Sequence, residues 1–204
     1  MTTISIIGSG NMAAAIGTRA ANHGHTVEIM SRNVAKAKAL ADQIGDRAIV
    51  GTYGARPAGD IVIVAVLYAG AVDAVAHYGD ALAGRIVVDI TNPFNANASG
   101  IVTTEGNSIA QQIAAAAPAD AHVVKAFNML FADVIAADKS VDVFFAGDPA
   151  AKAPFAAFLE SLDLRPRYAG GLEMTYVVEW GSILLMGVAG NGAGFGIALS
   201  AEAV

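Results

Sequence analysis

Ile4-Ser5-Ile6-Ile7-Gly8-Ser9-Gly10-Asn11-Met12-Ala13 decides the reading of this chain: a short apolar run feeds a G-x-G-x-x-A loop that opens an alanine-rich stretch. Gly8 permits the tight turn, Gly10 lets a pyrophosphate approach the backbone, and Ala13 is small enough for close helix–strand packing. The start of the following helix offers free N–H groups and a positive dipole end to an anion. Gly8, Ser9, Gly10, Asn11 and Met12 are therefore candidate phosphate-binding residues. A glycine turn between any strand and helix could mimic the letters. Here strand, loop and helix come in order and a second apolar run, Val27–Met30, follows at the right distance, which favours a dinucleotide.

The residues after that second run choose between dinucleotides. A site for NAD places an acid about twenty residues after the glycines to hold the ribose hydroxyls. This chain has Ser31-Arg32-Asn33 there, and Glu28 lies mid-strand, too early to reach the ribose. Arg32 can face a 2′-phosphate, with Ser31 and Asn33 beside it and Lys36 adding charge one helical turn on. Solvated helix-start residues would read the same way, but the charge distribution agrees with NADP. Residues 1–60 carry six basic and four acidic side chains, while the whole chain has a net charge of −6.

Outward from this loop the pattern repeats. Ile4–Ile7, Val27–Met30, Ile61–Leu67, Ile86–Ile90, Val123–Phe127 and Val141–Ala146 read as strands, with weaker ones at Ala48–Val50 and Arg165–Ala169. Several lack alternation, so both of their faces are buried, as a parallel sheet covered by helices requires. Helices are expected at Asn11–Asn22, Val34–Ile44, Ala71–Leu82, Ser108–Ala117, Ala150–Leu162 and Glu173–Ala189. The expectation is an α/β fold with a doubly wound, mostly parallel sheet in residues 1–170, and a small C-terminal helical segment over 171–204.

Ligands of such sheets collect beyond the carboxyl ends of the strands. Val66 and Leu67 there are expected to back the cofactor, unless they are core only. The segments Asp89–Phe94 and Lys125–Leu130 are apolar with a few amides and hydroxyls, which suits a flat ring beside a nicotinamide.

Other chemistries find little support. The chain of 204 residues has no cysteine, so thiolate nucleophiles and cysteine metal sites are excluded. His23-Gly24-His25 lacks a further ligand at metal spacing, and no metal site is expected. The acidic balance argues against nucleic acid. The composition is 55% hydrophobic and the charge-free run Trp180–Ala201 has the length of a bilayer span, yet six glycines dilute it and no basic cluster flanks it. With no basic segment at the start, the expectation is a cytoplasmic protein without a membrane span.

Taken together, the Gly8–Ala13 loop, Ser31-Arg32-Asn33, Asp89-Ile90-Thr91-Asn92-Pro93, Val123-Val124-Lys125-Ala126-Phe127-Asn128, Val143–Gly147 and Phe195-Gly196 resemble the coenzyme F420-dependent NADP oxidoreductase family. The chain also resembles the oxidoreductase domain of ferric reductases. These resemblances imply a Rossmann domain, bound NADP, F420 or a flavin (FMN or FAD) as second ligand, and a homodimer. They further imply that Asn92, Pro93, Asn128 and Met129 shape the pocket of the second ring. Direct hydride transfer depends on alignment and exclusion of water, so no catalytic acid or base is expected. Two alternatives stay open. The Gly10–Ala13 stretch is similar to that of pyrroline-5-carboxylate reductases, although too little chain follows Ala146 for their long helical domain. A non-catalytic NADP-binding regulatory module would carry the same loop.

Overall fold

The structure is a computed structural model and describes residues 2–203. Its elements run β1 (Thr3–Ile7), α1 (Asn11–Asn22), β2 (Thr26–Met30), α2 (Val34–Ile44), β3 (Ala48–Gly51), β4 (Ile61–Val64), α3 (Ala71–Tyr78), β5 (Ile86–Asp89), α4 (Ile109–Ala116), β6 (His122–Lys125), α5 (Ala132–Ala136), β7 (Asp142–Gly147), α6 (Lys152–Ser161), β8 (Arg165–Tyr168) and α7 (Thr175–Val188). The eight strands form one sheet in the order β3-β2-β1-β4-β5-β6-β7-β8. The first six are parallel and leave a crevice where the order reverses between β1 and β4, which defines a Rossmann fold.

Uniformly apolar strands need cover on both faces, and both receive it. Ile4 and Ile6 pack with Ile16, Leu40, Phe127 and Phe155 on one side. Ile7, Val62 and Val64 pack with Val75, Leu82 and Ile113 on the other. Each such aliphatic side chain, fully withdrawn from water, contributes about 1.5–3 kcal/mol before entropy is counted.

The polarity of β7 departs from the parallel repeat. It runs antiparallel to β6, pairing Val124 with Gly147 and Lys125 with Ala146, and β8 then runs parallel to β7. Gly147 makes this close approach possible: its φ is +152°, and a Cβ there would meet the Val123 carbonyl oxygen at 2.3 Å.

Several elements end earlier than their apolar letters suggest. The strand expected over Ile61–Leu67 stops at Val64, because Ala65–Leu67 leave the sheet at its carboxyl edge. The strand expected over Val123–Phe127 stops at Lys125, two residues before Phe127 turns into the left-handed region at φ +59°. The helix expected over Ala71–Leu82 breaks at Gly79, and a 3₁₀ turn continues to Leu82. α4 starts at a capping box in which Ser108 and Gln111 satisfy each other's backbone N–H groups. Helix α5 was not expected; at five residues it is too short for periodicity to show.

Arg19 is an unanticipated interior cation. From α1 it donates to the carbonyls of Leu162 (2.9 Å), Ile135, Lys139 and Asp163 (3.2 Å each), tying the first helix to the far edge of the fold. Burial pulls its pKa below the usual value, with Asp138 and Asp163 opposing. The positive excess of the first sixty residues is thus not a single surface patch.

Among the described residues one helical run, Leu172–Ala193, is long and apolar enough by length and composition to cross a bilayer. Its continuous α-helical part, α7, has 14 residues, short of the roughly 20 that a span takes. α7 buries Thr175, Val178, Glu179, Ser182 and Leu185 and leaves Val177, Trp180, Leu184 and Val188 exposed.

Candidate cofactor and acceptor site

The loop after β1 is held by its neighbours on both sides. Gly8 N–H donates to Met30 O at 2.9 Å, and Ala65 N–H donates to Ile7 O at 2.8 Å. Gly8 has φ +132°, and a Cβ would lie 2.1 Å from Ala65 O, so only glycine fits between β1 and β4. Gly10 differs: nothing lies within 4 Å of its Cβ position, which leaves its backbone open to a ligand. Gly10 is also the N-cap of α1, without a side-chain cap or an acidic residue in the first turn. The helix start therefore offers uncapped N–H groups to an anion.

A groove of about 760 Å³ runs from this loop across the carboxyl edge of the sheet. Gly8, Ser9, Gly10, Asn11, Met12, Ser31, Arg32, Asn33, Lys36, Val66 and Leu67 all line it, together with Asn92. At the β2 end, Ser9 Oγ and Ser31 Oγ stand 3.2 Å apart, and Asn33 N–H donates to Ser31 Oγ. Asn33 caps α2 by accepting from Lys36 N–H at 3.0 Å, so its side chain orders the helix start. Arg32 and Lys36 are exposed and, among the described residues, form no ion pair. Glu28 is accounted for elsewhere. Its carboxylate accepts from Ser5 Oγ at 2.5 Å and Ala58 N–H at 2.8 Å, inside the fold and away from the groove.

A second cavity, about 580 Å³, shares Arg32, Tyr53, Val66 and Leu67 with the groove and extends beside α3 to Asp73 and His77. Tyr53 and His77 stack at 5.1 Å between centroids and 19° between planes, giving this end a flat aromatic wall. Sequence reasoning missed both residues. Tyr53 follows β3, so the carboxyl-end rule applied to that weak strand would have found it.

At the opposite end the groove is lined by Ile90, Thr91, Asn92 and Phe94. Asn92 Nδ2 donates to Asn128 O at 2.8 Å, while Asn128 Nδ2 donates to Asn92 Oδ1 (3.1 Å) and to Val178 O (3.0 Å). This amide pair clamps the β5 and β6 loops to α7. Asn92 and Phe94 also line a cavity of about 190 Å³ with Asn128, Leu130, Phe131, Ser182, Leu185 and Met186. Asn128 Oδ1 is buried without a hydrogen-bond partner among the described residues. Pro93 and Met129 do not line these cavities. The Pro93 carbonyl instead accepts from Val102 N–H, and Met129 packs beneath α7 with Ala146 and Val178.

Fold and groove define a dinucleotide-binding protein of the Rossmann class. Comparison with known proteins narrows this. Residues 3–93 match the family described as NADP oxidoreductase, coenzyme F420-dependent. Among solved structures, the protein SMa0349 of Sinorhizobium meliloti is 30% identical over 84% of this chain and 86% of its own, with a TM-score of 0.74. A candidate F420-dependent NADP reductase of Arthrobacter sp. FB24 is 21% identical over 98% of this chain and all of its own, at TM-score 0.85. An imine reductase of Aspergillus terreus, solved with NADPH4 and a dibenzazepine, is 24% identical, covers 95% of this chain and 63% of its own, and has a TM-score of 0.69. No curated protein matches. Residues 3–93 carry the match to the coenzyme F420-dependent NADP oxidoreductase family, and the chain is an NADP-dependent oxidoreductase.

Proposed function

We propose that this protein transfers hydride between NADP(H) and the ring of a deazaflavin such as F420 or of a flavin, with Arg32 and Lys36 holding the 2′-phosphate. The observation that carries the acceptor reading is the sharing of Asn92 and Phe94 between the cofactor groove and the adjoining cavity, which brings the two ligands edge to edge. The Gly8–Met12 backbone takes the pyrophosphate, and the Tyr53–His77 wall faces the adenine end. Bound NADPH supplies the hydride. What the chain supplies is alignment: the Asn92–Asn128 clamp fixes the floor between the two rings, and Phe94, Leu130, Phe131 and Leu185 keep water from it.

The small cavity favours a second reading. Its volume of about 190 Å³ lies below the ~300–1,000 Å³ usual for ligand pockets, and a small cyclic imine would fit where only the edge of a tricyclic ring enters. One experiment separates the two: stopped-flow loss of NADPH absorbance with F420, FMN, FAD and a five-membered cyclic imine in parallel. Rapid reduction of F420 or a flavin is expected. Turnover of the imine alone would favour the second reading, and NADPH binding without reduction of any of the four would reject both.

A further inference from the structure

Behind the loop that carries Thr91 and Asn92 lies a cluster of charge that neither reading uses. Lys125, at the end of β6, donates from Nζ to Asp89 Oδ2 at 2.7 Å and to Glu179 Oε1 at 3.2 Å, with Thr91 Oγ1 at 3.5 Å. All three charged side chains are fully buried. The carboxyl groups are used only as acceptors. Asp89 Oδ1 takes Thr91 N–H at 2.8 Å, Glu179 Oε1 takes Ile109 N–H at 2.9 Å, and Glu179 Oε2 takes Thr103 Oγ1 at 2.8 Å. By formal charge one cation faces two anions, so the cluster is −1. Such an arrangement is costly in a dry interior, and a neutral or apolar replacement would hold the same elements together at lower cost.

We infer that Asp89 and Glu179 act as positioning residues whose surplus negative charge, behind Thr91, favours the oxidised nicotinamide over the reduced one. The oxidised ring carries a positive charge that the reduced ring lacks. A fixed, water-free anion nearby therefore stabilises one redox form selectively and does so without reorganisation. Thr91 connects the two: its N–H is held by Asp89, its hydroxyl lies near Lys125, and it lines the groove. The inference rests on the proposed placement of the nicotinamide at the Asn92–Asn128 clamp, next to Thr91, and is independent of the acceptor.

The test is the ratio of NADP+ to NADPH affinity, measured by titration without any acceptor. Glu179→Gln removes one charge and keeps the shape, because Oε1 can still accept from Ile109 N–H while the new amide donates to Thr103 Oγ1. NADP+ affinity is expected to fall by about three- to tenfold with NADPH affinity within twofold, as one charge acting through a partly screened interior implies. Tenfold corresponds to a rise of roughly 30 mV in the potential of the bound cofactor. Asp89→Asn, on a different element, is expected to shift the ratio the same way, and it decides the matter if Glu179→Gln does not fold. A ratio unchanged in the folded variants, or equal loss of both affinities, overturns the inference and leaves the cluster a tie between α7 and the sheet. Arg32→Ala measured alongside guards the premise: lost selectivity for NADPH there, with an unchanged ratio in Glu179→Gln, rejects the electrostatic role while the cofactor placement stands.

Discussion

The two ends of the cofactor groove handle positive charge in opposite ways. Arg32 and Lys36 stand in solvent with no carboxylate partner among the described residues, whereas Lys125 sits in the interior between two. An exposed, unpaired cation costs the fold little and keeps its hydrogen-bonding capacity for a ligand, but salt screens it. A buried one is bound into the fold, and its removal leaves the carboxylates beside it unmatched. The same residue types are thus left free at one end and spent on the protein's own interior at the other.

The sharpest way to break the contrast is Lys125→Met, which leaves Asp89 and Glu179 facing each other in a dry site. A loss of about 3–5 kcal/mol is expected, read as a lower urea midpoint. Arg32→Ala in the same assay should leave the midpoint unchanged. Equal sensitivity of the two would erase the distinction.

At the exposed end the effect appears in binding. Arg32→Ala is expected to weaken NADPH by about ten- to a hundredfold, the range of a lost charge-assisted hydrogen bond to phosphate, and to leave NADH nearly unaffected. Raising the salt concentration should erode NADPH affinity in the parent protein and much less in the variant. Parallel losses for NADPH and NADH would remove Arg32 from the 2′-phosphate.

The same contrast explains what was legible in the sequence. The Gly8–Ala13 loop, the strands of the parallel half, and Ser31-Arg32-Asn33 announce themselves because their signals are local: closely spaced glycines, apolar β-branched runs, a missing acid at a set distance. Asn11–Asn22 and Val34–Ile44 are helical to the residue for that reason. The features that escaped are non-local. Lys125, Asp89 and Glu179 are 36 and 54 residues apart and look like three scattered charges until β5, β6 and α7 meet. Arg19 counts as a basic residue in the sequence, but its partners lie more than a hundred residues away. The reversal of β7 also carries no local mark, since Val143–Phe145 are apolar in either direction and Gly147 gains its meaning only against Val123. Pro93 and Met129 follow strand ends as groove residues do, yet one turns the chain and the other drops under α7.

Asp142 lies between the two extremes and supplies the smallest effect. Its carboxylate is buried on β7, but its partners Arg165 (2.5 Å) and Arg167 (3.0 Å) are half-exposed, and it also accepts from Ala201 N–H at 2.7 Å, which anchors the C-terminal tail. Burial alone would raise its pKa; the hydrogen bonds from Arg167, Ala201 and Arg165 outweigh that and hold it at about 2. An unfolded aspartate titrates near 3.9, so the folded protein keeps this carboxylate ionised more readily than the unfolded chain does. The resulting stability is present above pH ~4 and is lost as the pH falls from ~4 through ~2, and solvent around the two arginines reduces it to about 1–2 kcal/mol. Asp142→Asn should therefore lower the urea midpoint at pH 7, and the gap to the parent should narrow as the pH is brought down to 2.5. A gap that stays constant with pH would mean that Asp142 acts through shape and hydrogen bonds alone, as a neutral residue would.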